Sequence, residues 1–135
     1  MAYYYIGKYQ SAIDDLTASL NYYPEAPVTL RRRGDAYRAI ANFHAAITDY
    51  NAALRMDPNS YQSYTGRGLD RLELNNVEAA LEDFNSSLQL EAAFNPESYA
   101  GRGRVYFIQG DYSGAIDELN TALEQDPEST MAYQC

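Results

Sequence analysis

The sequence is poor in the residues that build metal sites and disulfides. Its 135 residues include one cysteine, Cys135, one histidine, His44, and no tryptophan. A single cysteine excludes a disulfide within the chain, and His44 has no second histidine or cysteine nearby with which to hold a metal. The sequence therefore predicts no metal, no cofactor and no disulfide framework.

Long apolar runs are also missing. No segment approaches the roughly 18 residues that a membrane-spanning helix needs. The first ten residues, MAYYYIGKYQ, lack the basic segment and the long apolar segment of a secretory signal. We therefore expect a soluble, cytoplasmic protein with no membrane partner.

Basic residues are scarce. The chain has 10 Lys and Arg against 19 Asp and Glu, which gives a net charge of −9. Because cations supply most of the affinity for a phosphate backbone, we expect no nucleic-acid partner. Residues 1–60 carry six basic and six acidic side chains, whereas residues 61–135 carry four and thirteen. A protein partner would therefore meet a neutral end and an acidic end.

What the chain does have is an internal repeat. Gly34, Gly68 and Gly103 are spaced by 34 and 35 residues, and other residue types recur in the same frame. The recurring residues include Ala46, Ala80 and Ala115, then Tyr50, Phe84 and Leu119, and also Pro24, Pro58 and Pro127. The frame divides the chain into a truncated unit 1–26, three units 27–60, 61–95 and 96–129, and the start of a further helix at 130–135.

Each unit is predicted to form two helices. In AIDELNTALEQDP the apolar residues recur at i, i+3, i+4 and i+7, the spacing of one helix face, and Asp126-Pro127 ends the helix. Short turns separate paired helices at Gly7-Lys8, Ala41-Asn42, Asn75-Asn76 and Gly110-Asp111. The predicted helices are 1–6, 9–22, 27–40, 43–56, 61–74, 77–90, 96–109, 112–125 and 129–134.

The period, the turns and the recurring residues resemble the tetratricopeptide repeat, a 34-residue unit with the pattern Leu-Gly-x-x-Tyr, Ala-x-x-x-Phe and Pro. The resemblance spans the entire chain. It departs from the pattern where Arg precedes each glycine and where Arg71 replaces a tyrosine. The resemblance implies an all-α, right-handed solenoid of antiparallel helix pairs that binds an extended peptide or a partner helix in a concave groove.

The glycines have two interpretations. The stretch YAGRGRVY, residues 99–106, could be a phosphate-binding loop, but such a loop follows a strand and opens a helix, and no strand is predicted. Inside a helix, glycine costs about 1 kcal/mol relative to alanine, which is offset where the missing side chain lets another helix pack closely. Gly34, Gly68 and Gly103 suit close packing, whereas the sequence does not explain Gly66 and Gly101.

No arrangement of residues predicts catalysis. No nucleophile stands beside a base, and the paired acids Asp14-Asp15, Glu82-Asp83 and Asp117-Glu118 recur because the repeat recurs. The fourteen tyrosines could stack on bases, but most occupy positions that fill the repeat core or line its first helix. The chain is therefore predicted not to be an enzyme.

The resemblance implies that the first helix of each unit lines the groove. The residues at these positions include Tyr4, Arg31, Asp35, Arg38, Thr65, Leu69, Leu72, Glu97, Arg104 and Phe107. Arginines stand near one end, Glu97 stands towards the other, and apolar residues lie between. We therefore expect a peptide or helix with an apolar centre and opposed charges.

The sequence can be compared with one specialised group of tetratricopeptide repeat proteins. Members that bind a chaperone C-terminus hold its carboxylate with Lys, Asn and Arg side chains. The matching positions here are Arg31, Asp35, Gly66, Glu97 and Gly101. Only the first is basic, so a chaperone-tail clamp is not expected.

Charge recurs with the repeat. Arg33, Arg67 and Arg102 occupy one position of the first helices, and a fixed position of the second helices is acidic: Asp15, Asp49, Asp83 and Glu118. This repetition predicts a ladder of ion pairs between neighbouring helices, each contributing about 0–1 kcal/mol.

Unit 61–95 is one residue longer than its neighbour and ends in LEAAFNPES. We expect its second helix to run on past Leu90. Asn95 is then the predicted N-cap of the next helix, with Pro96 at the first helical position.

The repeat frame starts and stops within a first helix, so neither end carries a capping helix. A homo-oligomer through the repeat ends is therefore an alternative to peptide binding, as a self-assembling structural module. An RNA-binding repeat is a second alternative, and the charge of −9 disfavours it.

Overall fold

The computed structural model describes the backbone of residues 2–127 and the side chains of residues 7–127. Within that range it contains seven α-helices and no strand. The helices are α1 (Ala2–Tyr22), α2 (Pro27–Ala39), α3 (Phe43–Met56), α4 (Tyr61–Glu73), α5 (Val77–Leu90), α6 (Pro96–Ile108) and α7 (Tyr112–Gln125). Helix α2 pairs with α3, α4 with α5 and α6 with α7, and successive pairs stack through α3 on α4 and α5 on α6. This is the predicted all-α solenoid of helix pairs.

Helices α2 to α7 begin at the predicted residues and end there or one residue earlier. The turn inside each pair contains one residue in the left-handed region: Ala41 at φ 62°, Asn75 at φ 63° and Gly110 at φ 86°. In the first of these turns the next residue's N–H donates back to Tyr37 O at 2.9 Å. Such bonds satisfy carbonyl groups that the helix end leaves without partners.

The first unit departs from the prediction. Separate helices 1–6 and 9–22 with a turn at Gly7-Lys8 were expected, but α1 is unbroken from Ala2 to Tyr22. Continuing the helix through Gly7 and Lys8 keeps the backbone hydrogen bonds that a turn would interrupt. The helix expected at 129–134, or 130–135, lies outside the described residues.

The prediction that α5 continues past Leu90 is wrong. The helix ends at that residue, and Glu91 is extended at φ −146°. Asn95 does stand at the N-cap position of α6 and Pro96 does stand in its first turn, although the Asn95 side chain makes no capping hydrogen bond. The additional residue therefore lengthens the α5–α6 loop and leaves the helix unchanged.

Side chains from two helices hold this loop in place. Asn95 Nδ2 donates to Glu91 O and to Ser87 Oγ, both at 2.9 Å. From α7, Gln125 accepts from Asn95 N at 2.7 Å and donates to Ala92 O at 2.9 Å. The loop backbone finds these partners only when the helix stops at Leu90, which is the physical reason for the early end.

The core contains aromatic rings packed between glycines. Tyr50 of α3 is fully buried. A Cβ atom at Gly34, in the same helix pair, would lie 2.9 Å from Tyr50 Cε1, and one at Gly66, in the next pair, would lie 2.8 Å from the same atom. The same arrangement recurs around Phe84 with Gly68 and Gly101. The predicted close packing is thus confirmed at Gly34 and Gly68, and Gly66 and Gly101, which the sequence did not explain, pack against the same two rings from the following helix pair.

The predicted ion-pair ladder is confirmed. Arg33 donates through Nε and Nη2 to the two carboxylate oxygens of Asp49, both at 2.8 Å, and through Nη1 to Thr17 Oγ1 at 3.2 Å. Each arginine thus links its own second helix to the second helix of the preceding unit. The remaining contacts are Arg67 with Asp83 and Asn51, and Arg102 with Glu118 and Asn85. Asp15 is exposed on α1 and has no arginine partner among the described residues.

Candidate peptide-binding groove

Two adjoining cavities open between the first helices of successive pairs. The Arg31 cavity holds about 290 Å³ and lies between α2, α4 and the α5–α6 loop. The Leu69 cavity holds about 730 Å³ and lies between α4, α6 and α7. Arg38 and Glu97 line both cavities. Together the two cavities form one groove with a charged part and an apolar part.

The charged part is organised around Asp35. Arg31 Nη1 donates to Asp35 Oδ2 at 3.2 Å, and Arg38 Nη2 lies 3.9 Å from Asp35 Oδ1. The hydroxyl of Tyr50 donates a short hydrogen bond to Asp35 Oδ1 and accepts from Arg38 Nε at 3.4 Å. Burial, followed by the charge of Asp35, raises the pKa of Tyr50, so this hydroxyl keeps its proton at neutral pH.

Opposite charges face each other across the groove. Glu97, in the first turn of α6, lines both cavities together with Arg38, whereas the sequence suggested that it lies towards the far end. On the wall of the Leu69 cavity, Arg104 Nη2 lies 3.4 Å from Glu73 Oε1, and both side chains are about half-exposed. The apolar walls there come from Phe43, Leu69, Ala100, Leu119 and Leu123.

Seven of the ten predicted groove residues line the two cavities. They are Arg31, Asp35, Arg38, Thr65, Leu69, Glu97 and Arg104. The hydroxyl of Thr65 is buried, however, and bonds to Ser87 Oγ at 2.7 Å and Ser98 Oγ at 2.8 Å. Its hydroxyl therefore stabilises the contact between α4, α5 and α6.

Leu72 and Phe107 do not line these two cavities. Leu72 lies in the core against Ala80 and Phe84, with 4% of its surface exposed, because its turn of α4 faces the interior. Phe107 is 61% exposed and lines a third cavity of about 340 Å³ at the end of α6, which shares Arg104 and Leu119 with the Leu69 cavity. Its ring meets that of Tyr112 edge-on, with the ring centroids 5.2 Å apart. The side chain of Tyr4 lies outside those described.

The sequence interpretation missed Phe94. This side chain is 58% exposed on the α5–α6 loop and forms part of the wall of the Arg31 cavity. The additional residue in LEAAFNPES was the available signal, but it was interpreted as a longer helix. An aromatic ring beside two arginines is a suitable contact for an apolar group that neighbours an acid.

The part of the chain that the structure describes contains neither a cluster of metal-binding side chains nor a membrane-spanning helix. No group of three or more His, Cys, Asp or Glu side chains there could hold a metal ion. Among those same residues, no helix has the length and apolar character to cross a membrane.

Comparison with known proteins identifies the family. The tetratricopeptide repeat profile matches residues 1–61, 31–93 and 65–130. A crystal structure of MamA superposes with a TM-score of 0.80 at 23% identity, covering 95% of this chain and 74% of that one. The first TPR of Spaghetti (RPAP3), bound to an HSP90 peptide SRMEEVD, superposes with a TM-score of 0.74 at 30% identity, covering 80% and 85%. No curated protein sequence matches. The chain belongs to the tetratricopeptide repeat family.

Proposed function

We propose that this chain is a non-enzymatic scaffold for protein–protein interaction, and that its groove binds an extended peptide or a partner helix. The observation that carries the proposal is the continuity of the Arg31 and Leu69 cavities through Arg38 and Glu97. The combined space suits a peptide, whose backbone and alternating side chains need a long, open site. The bound HSP90 peptide of the first TPR of RPAP3 is a precedent within the family.

The side chains of the groove suggest the chemistry of the ligand. Arg31 and Arg38 favour an acidic group on the α2 side, and Glu97 favours a basic group on the α6 side. Between them, Phe94 and Leu69 offer apolar contact. We therefore propose a ligand whose apolar residues are flanked by opposite charges. Asp35 and Glu97 make the groove unsuited to a ligand that carries acids alone.

A charge reversal tests this proposal. A phage-displayed peptide library selected on the wild-type chain supplies the probe peptides. Arg31→Glu should weaken their binding about tenfold or more, because it removes a partly buried cation and adds a repelling anion. Arg55→Glu is the matched control, since Arg55 is exposed on α3 outside both cavities. Equal affinity of the wild type and Arg31→Glu would place the binding surface elsewhere.

A second candidate function, end-to-end self-assembly, is favoured by the exposed apolar side of α7, which also forms one wall of the Leu69 cavity. Leu119 and Leu123 are 41% and 38% exposed, whereas the matching Phe84 and Leu88 of α5 are 0% and 8% exposed under the next helix pair. A second copy could cover this face. Sedimentation over a wide concentration range should show rising mass for the wild type and monomer for Leu123→Glu. A constant monomeric mass of the wild type contradicts self-assembly.

A further inference from the structure

An unpartnered acid lies inside the helix layer behind the groove. Asp70, in the last turn of α4, has 0% of its surface exposed. Neither of its carboxylate oxygens has a hydrogen-bond partner among the described residues. The matching positions in the neighbouring units hold Ala36 and Val105, both buried. The acid is therefore peculiar to the central unit and is not needed by the repeat itself.

One cation and two acids act on Asp70. From α2, Arg38 attracts its ionised form and Asp35 repels it, and from α4 itself Glu73 repels it. The other helices packed against α4 bring groups that are already engaged. The Tyr50 hydroxyl of α3 donates to Asp35, and Asp83 of α5 forms ion pairs with Arg67 and Arg71. Arg104 of α6 forms an ion pair with Glu73. Arg38 is therefore the cation that can compensate a negative charge on Asp70.

Arg38 is held loosely. Its contacts are 3.4 Å to Tyr50 Oη and 3.9 Å to Asp35 Oδ1, whereas the arginines of the ladder reach their acids at 2.7–3.0 Å through two nitrogens. A guanidinium that makes no two-pronged contact can shift at low cost. The same side chain lines both cavities of the groove.

We propose that Asp70 controls Arg38 through its own protonation: the neutral carboxyl leaves the guanidinium to the groove, and the ionised carboxylate draws it back into the helix layer. Burying an ionised carboxylate without partners is costly, so ionisation and movement of the cation are coupled. The inference rests on the proposed function only for its consequence to ligands. The movement itself takes place in the free chain.

The direction of the pH effect follows from the environment of Asp70. Burial, which outweighs the attraction of Arg38, raises the pKa of Asp70 to about 7, whereas an aspartate in an unfolded chain has a pKa of about 3.9. The folded state therefore holds the proton more tightly, and this stabilisation is fully present below about pH 4 and is lost as the pH rises through about 7. Near neutral pH a small change in acidity alters the population of the two arrangements.

Carboxyl NMR of the chain labelled with ¹³C-aspartate tests the proposal without any ligand. The signal that disappears in Asp70→Asn belongs to Asp70, and its midpoint is expected near pH 7, about three units above that of an ordinary aspartate. Glu82→Gln, which removes an exposed acid of α5, should leave that midpoint unchanged. A midpoint below about pH 5 overturns the proposal.

The coupling to Arg38 has its own readout. The Nε–Hε signal of Arg38, identified by its loss in Arg38→Lys, should move with the same midpoint as the Asp70 carboxyl and stay constant in Asp70→Asn. An Arg38 signal that ignores the Asp70 midpoint overturns the coupling, whether or not the groove binds peptides. Conversely, failure of Arg31→Glu to weaken binding contradicts the groove alone.

The consequence for ligands is a pH-dependent affinity. A probe peptide from the library that carries both an acidic and a basic residue should bind the wild type about fivefold more weakly at about pH 8.5 than at about pH 6, because ionised Asp70 competes for Arg38. Asp70→Asn should show less than about a twofold change over the same range. An equal pH dependence in both proteins overturns the link between Asp70 and the groove.

Discussion

At the scale of single residues, the contact between a ring and two glycines explains why this chain tolerates glycine inside helices. Each of these glycines lowers helix propensity by about 1 kcal/mol relative to alanine. At Gly34 and Gly66 the absence of a side chain leaves room for the Tyr50 ring, which packs against both residues. The burial of the ring and the close approach of three helices offset the loss.

Gly66→Ala should destabilise the chain by about 2 kcal/mol, because the added methyl group overlaps a fully buried ring that has no room to shift. Gly7→Ala is the matched control. Gly7 lies in the exposed part of α1 with nothing within 4 Å of an added Cβ, so this change should stabilise the chain by about 0.5–1 kcal/mol. Urea unfolding measures both. Equal effects of the two substitutions would show that Tyr50 does not constrain Gly66.

At the scale of helices, each arginine of the ladder connects the first helix of its unit to the second helix of the same unit and to that of the preceding unit. The contribution of each contact depends on how deeply its acid is buried. The side chain of Asp49 is 4% exposed and that of Asp83 is 3%, but Asp83 has a second partner in Arg71. Glu118 is 17% exposed and can be hydrated when its partner is removed.

Replacing ladder arginines by methionine keeps the apolar stem and removes the charge. We expect Arg33→Met to cost about 3 kcal/mol, more than the about 0–1 kcal/mol predicted for each pair from the sequence, because Asp49 is left buried without its arginine. Arg102→Met should cost only about 1 kcal/mol, since Glu118 regains water. The free energy of unfolding in urea near neutral pH provides the comparison. A larger loss for Arg102→Met would contradict the role assigned to burial.

The helices could be predicted from the sequence, because apolar spacing and turn residues are local signals that recur with the repeat. The ladder could be predicted for the same reason. The end of α5 could not be predicted, because it depends on contacts that no local pattern shows. It is fixed by the bond of Asn95 to Ser87 and by that of Gln125, from α7, to the loop backbone.

The groove was predictable only in part. First-helix positions identified Arg31, Arg38 and Glu97, because one helix face repeats. Leu72 was misplaced, since the same repeat position is partly exposed as Arg38, buried as Leu72 and exposed as Phe107. The neighbours of a residue differ between units, and they determine whether a given repeat position is buried or exposed. Tertiary packing therefore overrides the repeat wherever the units differ.

At the scale of the whole molecule, stability should vary along the solenoid. The central pair α4 and α5 is covered by a helix pair on each side, whereas the described residues leave one face of α7 open. In arrays of repeats each unit depends on its immediate neighbours, so the open end unfolds more easily than the middle.

Hydrogen exchange followed by mass spectrometry should show this gradient. Amides of α5 are expected to exchange more slowly than those of α7 by about tenfold or more, because the latter open locally without unfolding the centre. Leu88→Ala should narrow the gap by weakening α5, while Leu123→Ala should widen it. Equal protection of the two helices would mean that the chain unfolds as one cooperative unit.

The packing of a ring between two glycines also imposes an order on the repeats. Phe84 must be followed by a unit with glycine at the position of Gly66 and Gly101, and unit 61–95 itself satisfies that condition, so tandem copies of it are self-compatible. Unit 27–60 carries Arg32 at that position and here follows Leu16, a smaller neighbour than an aromatic ring. Two copies of unit 27–60 in tandem would press Arg32 onto Tyr50. The order of the units is therefore constrained, and only some permutations of them are compatible with a longer repeat array.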